Sequence, residues 1–130
     1  MGSAWPGPCV SAWWLVSYSA IAMIEICFHE TPSGNSPVER YLGGLAAAER
    51  AMVLDVLKEV RLHGLLAPGL DRRHVDGQLW EIRVSRHRLF YVVIAGPILV
   101  LLHAYKKQSQ KAPRSEIDVA NARMREVLSG

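Results

Sequence analysis

The chain has 130 residues, half of them apolar, and a formal charge of +3. A chain of this length fits a single domain, and its apolar fraction excludes intrinsic disorder. The two cysteines, Cys9 and Cys27, follow no metal-ligand spacing and are too few for a disulfide-rich secreted scaffold. We therefore expect two unpaired thiols in a reducing cytoplasm.

The charges are segregated along the sequence. From Arg72 to Arg114, nine basic side chains stand against two acidic ones, a local charge of +7. From Glu25 to Asp71 the sign reverses, with four basic side chains against seven acidic ones. The basic half is where a polyanion would bind.

The first 24 residues carry no charged side chain, and three interpretations of this stretch are open. A secretory signal needs Lys or Arg ahead of its apolar run, and this run has neither. A membrane span needs about twenty apolar residues, which serines and prolines dilute here. We favour an uncharged apolar leader over residues 1–22, loosely ordered or non-native, followed by one domain over residues 23–130.

The first part of that domain is predicted to contain a strand and two helices. Residues 24–28 alternate between apolar and polar side chains, as in a strand with one buried face. Ser36, followed by Pro37, predicts the N-cap of a short helix that ends near residue 42. Apolar side chains at helical spacing predict a second helix over about residues 45–65. The two helices are expected to form a hairpin on one face of a sheet.

The second part is predicted to be a strand meander and a closing helix. Residues 80–84 alternate, whereas residues 89–94 and 98–104 are almost wholly apolar, as in central strands buried on both faces. Pro113 precedes an apolar stripe at helical spacing. The predicted class is α+β, in the order β-α-α-β-β-β-α, with an antiparallel sheet, an N-terminal helical hairpin on one face and a C-terminal helix.

The basic half suits one kind of chemistry. Cleavage of RNA through its own 2′-hydroxyl requires a group that removes that proton, cations that stabilise the phosphorane oxygens and a donor to the leaving oxygen. Arg, Lys, His and Tyr supply these functions without a metal. The sequence has no zinc-spaced cluster, glycine-rich phosphate loop or nucleophile elbow, so we expect no metal and no cofactor.

Strand alternation places His103 and Tyr105 on one face and Ala104 and Lys106 on the other. Structural alternatives stay open for several of these residues. Glu81 and Arg83 would be on one face of their strand and would form a solvated ion pair, and His103 would be a satisfied core histidine. Lys107 and Lys111 would be phosphate contacts or solvated charges, and Trp80 and Phe90 are expected in the core.

Four sequence blocks resemble the phage-derived, HigB-like branch of the RelE toxin superfamily: MIEI at 23–26, SGNSPVE at 33–39, LWEIR at 79–83 and LLHAYKKQSQKAP at 101–113. The resemblance implies a RelE-like fold and the toxin of a type II toxin–antitoxin system. Such toxins cleave mRNA in the cytoplasm, commonly on the translating ribosome, without a metal. The usual partner in this branch is a helix-turn-helix antitoxin, and a homodimer or a toxin–antitoxin heterotetramer is compatible with the family.

Site residues follow from this resemblance and from the basic half. The candidate catalytic residues, which match strand and strand-end positions of family sites, are Arg83, Arg88, Tyr91, His103, Tyr105 and Lys106. The candidate RNA-binding residues are Arg73, Arg86, Lys107 and Lys111.

The sequence departs from the family pattern at three places. Ala104 and Tyr105 stand where glycine and phenylalanine are usual, and Ala112 replaces a threonine helix cap at a cost of about 1 kcal/mol. The loop over residues 85–87 is short for the family. The alternative functions are a catalytically inactive RelE-like module that binds nucleic acid or protein, and a membrane-associated protein anchored by residues 13–24.

Overall fold

The computed structural model describes residues 24–94, 98–108 and 113–129. Five strands form one mixed sheet in the order β1-β5-β4-β3-β2, in which β1 runs parallel to β5 and the other neighbours are antiparallel. The elements are β1 (Glu25–Phe28), α1 (Pro37–Gly43), α2 (Ala47–His63), a 3-10 turn (Gly64–Leu66), β2 (Arg72–Asp76), β3 (Leu79–Val84), β4 (His87–Ile94), β5 (Ile98–Lys106) and α3 (Arg114–Ser129).

The predicted α+β class is confirmed, and so is the central position of β4 and β5. Two features differ from the prediction. The predicted element order has no strand at the position of β2, whose sequence Arg-Arg-His-Val-Asp lacks apolar alternation. This β2 is an edge strand, and edge strands commonly carry charge that discourages pairing with other chains. The sheet is also mixed rather than antiparallel, because β1 pairs with β5 in parallel.

The sheet separates two hydrophobic cores. The helices α1 and α2 cover one face, which we call the hairpin face, through Val38, Leu42, Val53, Leu57 and Val60. The helix α3 covers the opposite face, which we call the α3 face, through Ile117, Ala120, Met124 and Val127. The predicted hairpin on one face is therefore present, and α3 completes a three-layer arrangement.

The helix ends are stabilised by different groups from those predicted. Pro37 lies at the start of α1 as expected, but the Ser36 side chain makes no capping hydrogen bond. At the other end of α1, the Arg50 guanidinium of α2 donates to the carbonyls of Leu42 at 3.0 Å and Leu45 at 2.9 Å. Leu42 lies in the last turn of α1 and Leu45 in the loop between the helices, so Arg50 both caps α1 and ties α2 to the loop of the hairpin.

The expectation of unpaired thiols is wrong for Cys27, which is disulfide-bonded. Sequence spacing does not show which cysteines approach each other in a fold, so the pattern did not predict this bond. Cys9, the predicted leader over residues 1–22, the turn over residues 95–97 and the position of Ala112 lie outside the described residues. None of the helices that the structure describes is long and apolar enough to cross a membrane.

Candidate active site

The α3 face of the sheet brings together polar residues from four strands. One cross-strand row places Arg73 of β2 beside Glu81 of β3, which lies beside Phe90 of β4 and then His103 of β5. Side chains that lie opposite one another in adjacent strands are about 4.5–5.5 Å apart at their Cβ atoms. This row therefore places the guanidinium of Arg73 and the carboxylate of Glu81 next to the rings of Phe90 and His103.

The next row adds two arginines and a phenol. Arg83 pairs with Arg88 across the β3–β4 hairpin, and Arg88 pairs with Tyr105 of β5. Between the two rows and the start of α3 lies a pocket of about 230 Å³. Its lining consists of Arg73, His74, Val75, Glu81, Arg88, Phe90, Tyr105, Lys107 and Ile117.

Arg88 is held in this pocket by the turn that precedes it. Its side chain is largely buried, at 8% exposure. One terminal nitrogen, NH1, donates to the carbonyls of Ser85 at 2.8 Å and His87 at 3.1 Å. Both hydrogen bonds use NH1, so the other donors of the guanidinium can serve an anion in the pocket.

Tyr105 lies on an aromatic cluster that forms the floor of the pocket. Its ring stacks with that of Phe90 at 5.7 Å between centroids, and Phe90 stacks with His103 at 6.2 Å. Burial raises the pKa of the Tyr105 hydroxyl, the Glu81 carboxylate raises it further, and Arg88 opposes both. The phenol therefore stays protonated at neutral pH and is able to donate a proton.

His103 shares this face but is engaged by α3. Its Nε2 contacts the Glu116 carboxylate, and its Nδ1 lies 3.1 Å from NH1 of Arg123. An arginine can only donate, so Nδ1 accepts and Nε2 carries the hydrogen donated to Glu116. Arg123 also donates to the Leu102 carbonyl at 3.0 Å, and burial lowers the pKa of its guanidinium. Both ring nitrogens of His103 therefore have hydrogen-bond partners on α3, which favours a structural role for His103, the connection of β5 to α3, over a catalytic one.

The other predicted site residues divide between inside and outside the pocket. Arg73 and Lys107 line it together with Arg88 and Tyr105. Arg83 lies outside the lining, and its Nε is 3.8 Å from the Asp71 carboxylate.

Three predicted residues point elsewhere, and a fourth is not described. Arg86 is exposed in the β3–β4 turn, and Lys106 is exposed at the end of β5, on the opposite face from Tyr105. Tyr91 is buried in the core of the hairpin face, where burial raises the pKa of its hydroxyl. Lys111 lies outside the described residues.

The sequence reasoning missed the position of Glu81. It was considered only as a partner for Arg83, but Arg83 pairs with Asp71 instead. The signal was present in the period-two alternation, which puts Glu81 on the face of Leu79, toward α3. The local sequence pattern did not show that β2 brings Arg73, and β5 brings Tyr105, into the same pocket as Glu81.

A second polar cluster, also missed, lies on the hairpin face behind Arg88. The buried imidazole of His87 bridges Tyr41 of α1 and Glu49 of α2, with distances of 2.6 Å from Nδ1 to the Tyr41 hydroxyl and 2.6 Å from Nε2 to Oε1 of Glu49. One tautomer satisfies all three groups if Tyr41 donates to Nδ1 and Nε2 donates to Glu49. Burial raises the pKa of Tyr41, as does the nearby Glu49. The cluster ties both helices to the first residue of β4.

No group of three or more potential metal ligands occurs among residues 24–94, 98–108 and 113–129. The pocket lining supplies arginine, lysine, histidine, tyrosine and glutamate side chains.

Comparison with known proteins identifies the family. Residues 40–125 match the family described as Phage derived protein Gp49-like (DUF891). The chain belongs to this Gp49-like family. The match spans more than half of the chain and includes the whole pocket lining. The predicted membership of the phage-derived, HigB-like branch is confirmed by it.

Among solved structures, the Gp49-like chain is similar to the one described as the crystal structure of the archaeal RelE-RelB complex from Pyrococcus horikoshii OT3. The TM-score is 0.52 at 14% identity, over 70% of this chain and 100% of that chain. A likeness at this identity shows the fold alone, and it confirms the predicted RelE-like fold. No curated protein matches the chain.

Proposed function

We propose that this Gp49-like protein is the toxin of a type II toxin–antitoxin system and that it cleaves mRNA on the translating ribosome in the cytoplasm, without a metal. The observation that carries the proposal is the meeting of Arg73, Arg88 and Lys107 with the Tyr105 hydroxyl in one pocket. Preorganised cations of this kind stabilise the charge that develops on a phosphate in the transition state.

The pocket residues suit the parts of an RNA-cleavage reaction. Arg88, with donors that its turn does not use, binds the non-bridging oxygens of the scissile phosphate. Arg73 and Lys107 add positive charge from either side of it. Tyr105, which stays protonated because its pKa is raised, donates to the leaving 5′-oxygen. An unstacked base is able to rest against the aromatic cluster, as is common for single-stranded RNA.

The proposal also includes an inhibitory partner. The similar archaeal structure is a complex of RelE with RelB, and the HigB-like branch usually pairs with a helix-turn-helix antitoxin. We propose such an antitoxin as the partner of this chain, with a homodimer or a toxin–antitoxin heterotetramer as the assembly.

The test is induced expression of the full chain in a cell that has no antitoxin, with growth followed and the 5′ ends of mRNA mapped. Wild-type protein is expected to arrest growth and to create new 5′ ends within translated messages. Arg88→Ala should cleave about 100-fold more slowly, the scale of losing one transition-state donor. Arg86→Ala is the matched control, because Arg86 lies in the turn just before Arg88 but outside the pocket.

Folding of both variants is checked by thermal unfolding of the purified proteins. Full activity of folded Arg88→Ala would remove Arg88 from the reaction. Normal growth and intact messages in the presence of soluble wild-type protein would contradict the nuclease and support a non-catalytic binding module with the same fold.

A further inference from the structure

The pocket contains a carboxylate that no other part of the proposed reaction uses. Of the described residues that line it, Glu81 alone is acidic, and it faces the cations Arg73, Arg88 and Lys107. Only 8% of Glu81 is exposed. Among the ion pairs that the structure describes, none includes it.

A buried carboxylate without a fixed partner is unusual. Removing an ion from water is costly unless hydrogen bonds or counter-ions compensate for it, and polar groups in native interiors generally have such partners. The cations around the pocket lower this cost without closing on Glu81, so its oxygens stay free to meet a substrate.

The other candidates for a proton acceptor are excluded by their surroundings. Both ring nitrogens of His103 are engaged by α3, through Glu116 and Arg123. Burial keeps the Tyr105 hydroxyl protonated, so it is a donor rather than an acceptor. Arginine is always protonated at physiological pH, and lysine is normally so. The imidazole of His74, which also lines the pocket, packs against Trp80 of the hairpin-face core at 5.2 Å between ring centroids, and its Nε2 lies 2.8 Å from the Gly77 carbonyl oxygen. Among the described residues of the lining, the carboxylate of Glu81 is therefore the base that faces the cations of the pocket.

We propose that Glu81 is the general base of the RNA cleavage, a role that rests on the proposed nuclease function. Its carboxylate takes the proton of the 2′-hydroxyl, and the 2′-oxygen forms a bond to phosphorus. The bond from phosphorus to the 5′-oxygen breaks, and that oxygen takes the proton of the Tyr105 hydroxyl. The products are a 2′,3′-cyclic phosphate and a 5′-hydroxyl end. Glu81 is left protonated and Tyr105 is left as a phenolate, so Glu81 then releases one proton to water and Tyr105 takes one from water, which returns both side chains to their starting states.

The first test compares Glu81→Gln with the wild type in single-turnover cleavage of mRNA on translating ribosomes over a series of pH values. The variant should be slower by about 100-fold or more, the usual contribution of a general base. The pH profiles of the wild type and the variant should differ, because an amide cannot accept the proton of the 2′-hydroxyl. Glu39→Gln, exposed on α1, is the control and should behave as wild type.

Binding separates a catalytic role from a structural one. The ligand is an RNA with a single 2′-deoxynucleotide at the mapped cleavage site, which cannot be cleaved. Glu81→Gln should bind it as tightly as the wild type or more tightly, because a negative charge has left a cationic pocket. A disrupted pocket would instead weaken binding together with cleavage.

A second variant keeps the proposal testable if the amide perturbs the fold. Glu81→Ala leaves space for a small carboxylate, so formate should restore part of its cleavage rate, whereas chloride at the same concentration should not. Thermal unfolding shows whether each variant is folded. The end groups of the RNA are identified to verify the cyclic phosphate.

The two proposals fail in different ways. No cleavage by the wild type, with or without ribosomes, overturns the nuclease function and the role of Glu81 together. Cleavage by the wild type and by folded Glu81→Gln at equal rates, with the same pH profile, overturns the role of Glu81 alone.

Discussion

Ser85 is a strained residue at the edge of the candidate site. It has a φ of 56° in the β3–β4 turn, and its carbonyl accepts a hydrogen bond from Arg88. A left-handed conformation costs a residue other than glycine about 1–2 kcal/mol. The strained conformation of Ser85 fixes the direction of its carbonyl, and this carbonyl orients the guanidinium of Arg88.

Relief of this strain should stabilise the protein. Ser85→Gly is expected to raise the free energy of unfolding by up to about 1 kcal/mol. It removes a conformational strain of about 1–2 kcal/mol, and this gain exceeds the cost of the greater freedom of glycine in the unfolded chain, about 0.5–1 kcal/mol. Urea unfolding measures the change. Arg86→Gly is the control, because Arg86 has no positive φ, and it should destabilise. A stability change of the same sign in both variants would show that Ser85 is not the strained position.

The sequence predicted some site residues well because their positions depend on local geometry. Period-two alternation sets His103 and Tyr105 on one face of β5, and the structure has them there. The hydrogen-bond partners of the His103 ring are instead Glu116 and Arg123 of α3, which are 13 and 20 residues away in the sequence. No strand pattern contains that information, and the same holds for the cations that surround Glu81.

At the scale of elements, burial determined which strands were predictable. The strands β4 and β5 are central and apolar, so their runs of hydrophobic residues identified them and their place in the sheet. The edge strand β2 has one strand neighbour and a largely exposed, charged sequence. Its main stabilisation is the backbone ladder to β3, which side-chain periodicity does not reveal.

The end of β1 is joined to α3 by a buried histidine. His29 is 4% exposed, and its Nε2 lies 3.2 Å from Oε1 of Glu126. The contact is at ion-pair distance, but neither ring nitrogen makes a well-directed hydrogen bond in the described part of the chain. Burial lowers the pKa of His29 below its usual 6.5, Glu126 and Glu30 oppose this effect, and Arg123 adds to it.

This histidine should make stability depend on pH. Below about pH 6.5, His29 takes up a proton in the unfolded chain but not yet in the folded chain, because its pKa is lower in the folded chain. The contribution of neutral His29 to the free energy of unfolding is therefore complete above that pH. It is lost as the pH falls from there to the lower pKa of the folded chain. Urea unfolding at about pH 7.5 and about pH 5.5 should show a smaller loss for His29→Gln than for the wild type. His63→Gln, exposed on α2, should lose as much as the wild type. Equal losses in all three proteins would exclude His29 as the cause.

At the scale of the whole molecule, the two halves of the sequence lie in different parts of the fold. The basic half forms β2 to β5, with its pocket on the α3 face, and the acidic half forms β1 and the helices of the hairpin face. The positive charge of the pocket and the negative charge of β1 and the hairpin helices together orient a polyanion toward the pocket during encounter. The net charge of +3 understates this local attraction.

The salt dependence of RNA affinity tests whether binding uses the pocket or only diffuse charge. Each phosphate neutralised on a single strand contributes about −0.7 to the slope of log affinity against log salt, so the three pocket cations predict a slope of about −2. Arg73→Ala should weaken binding of the 2′-deoxy RNA and reduce the slope by about 0.7. Lys58→Ala, which removes a positive charge from the exposed side of α2, should leave the slope unchanged. If Lys58→Ala and Arg73→Ala reduce the slope equally, the RNA is held by overall charge, and the pocket does not position the phosphate.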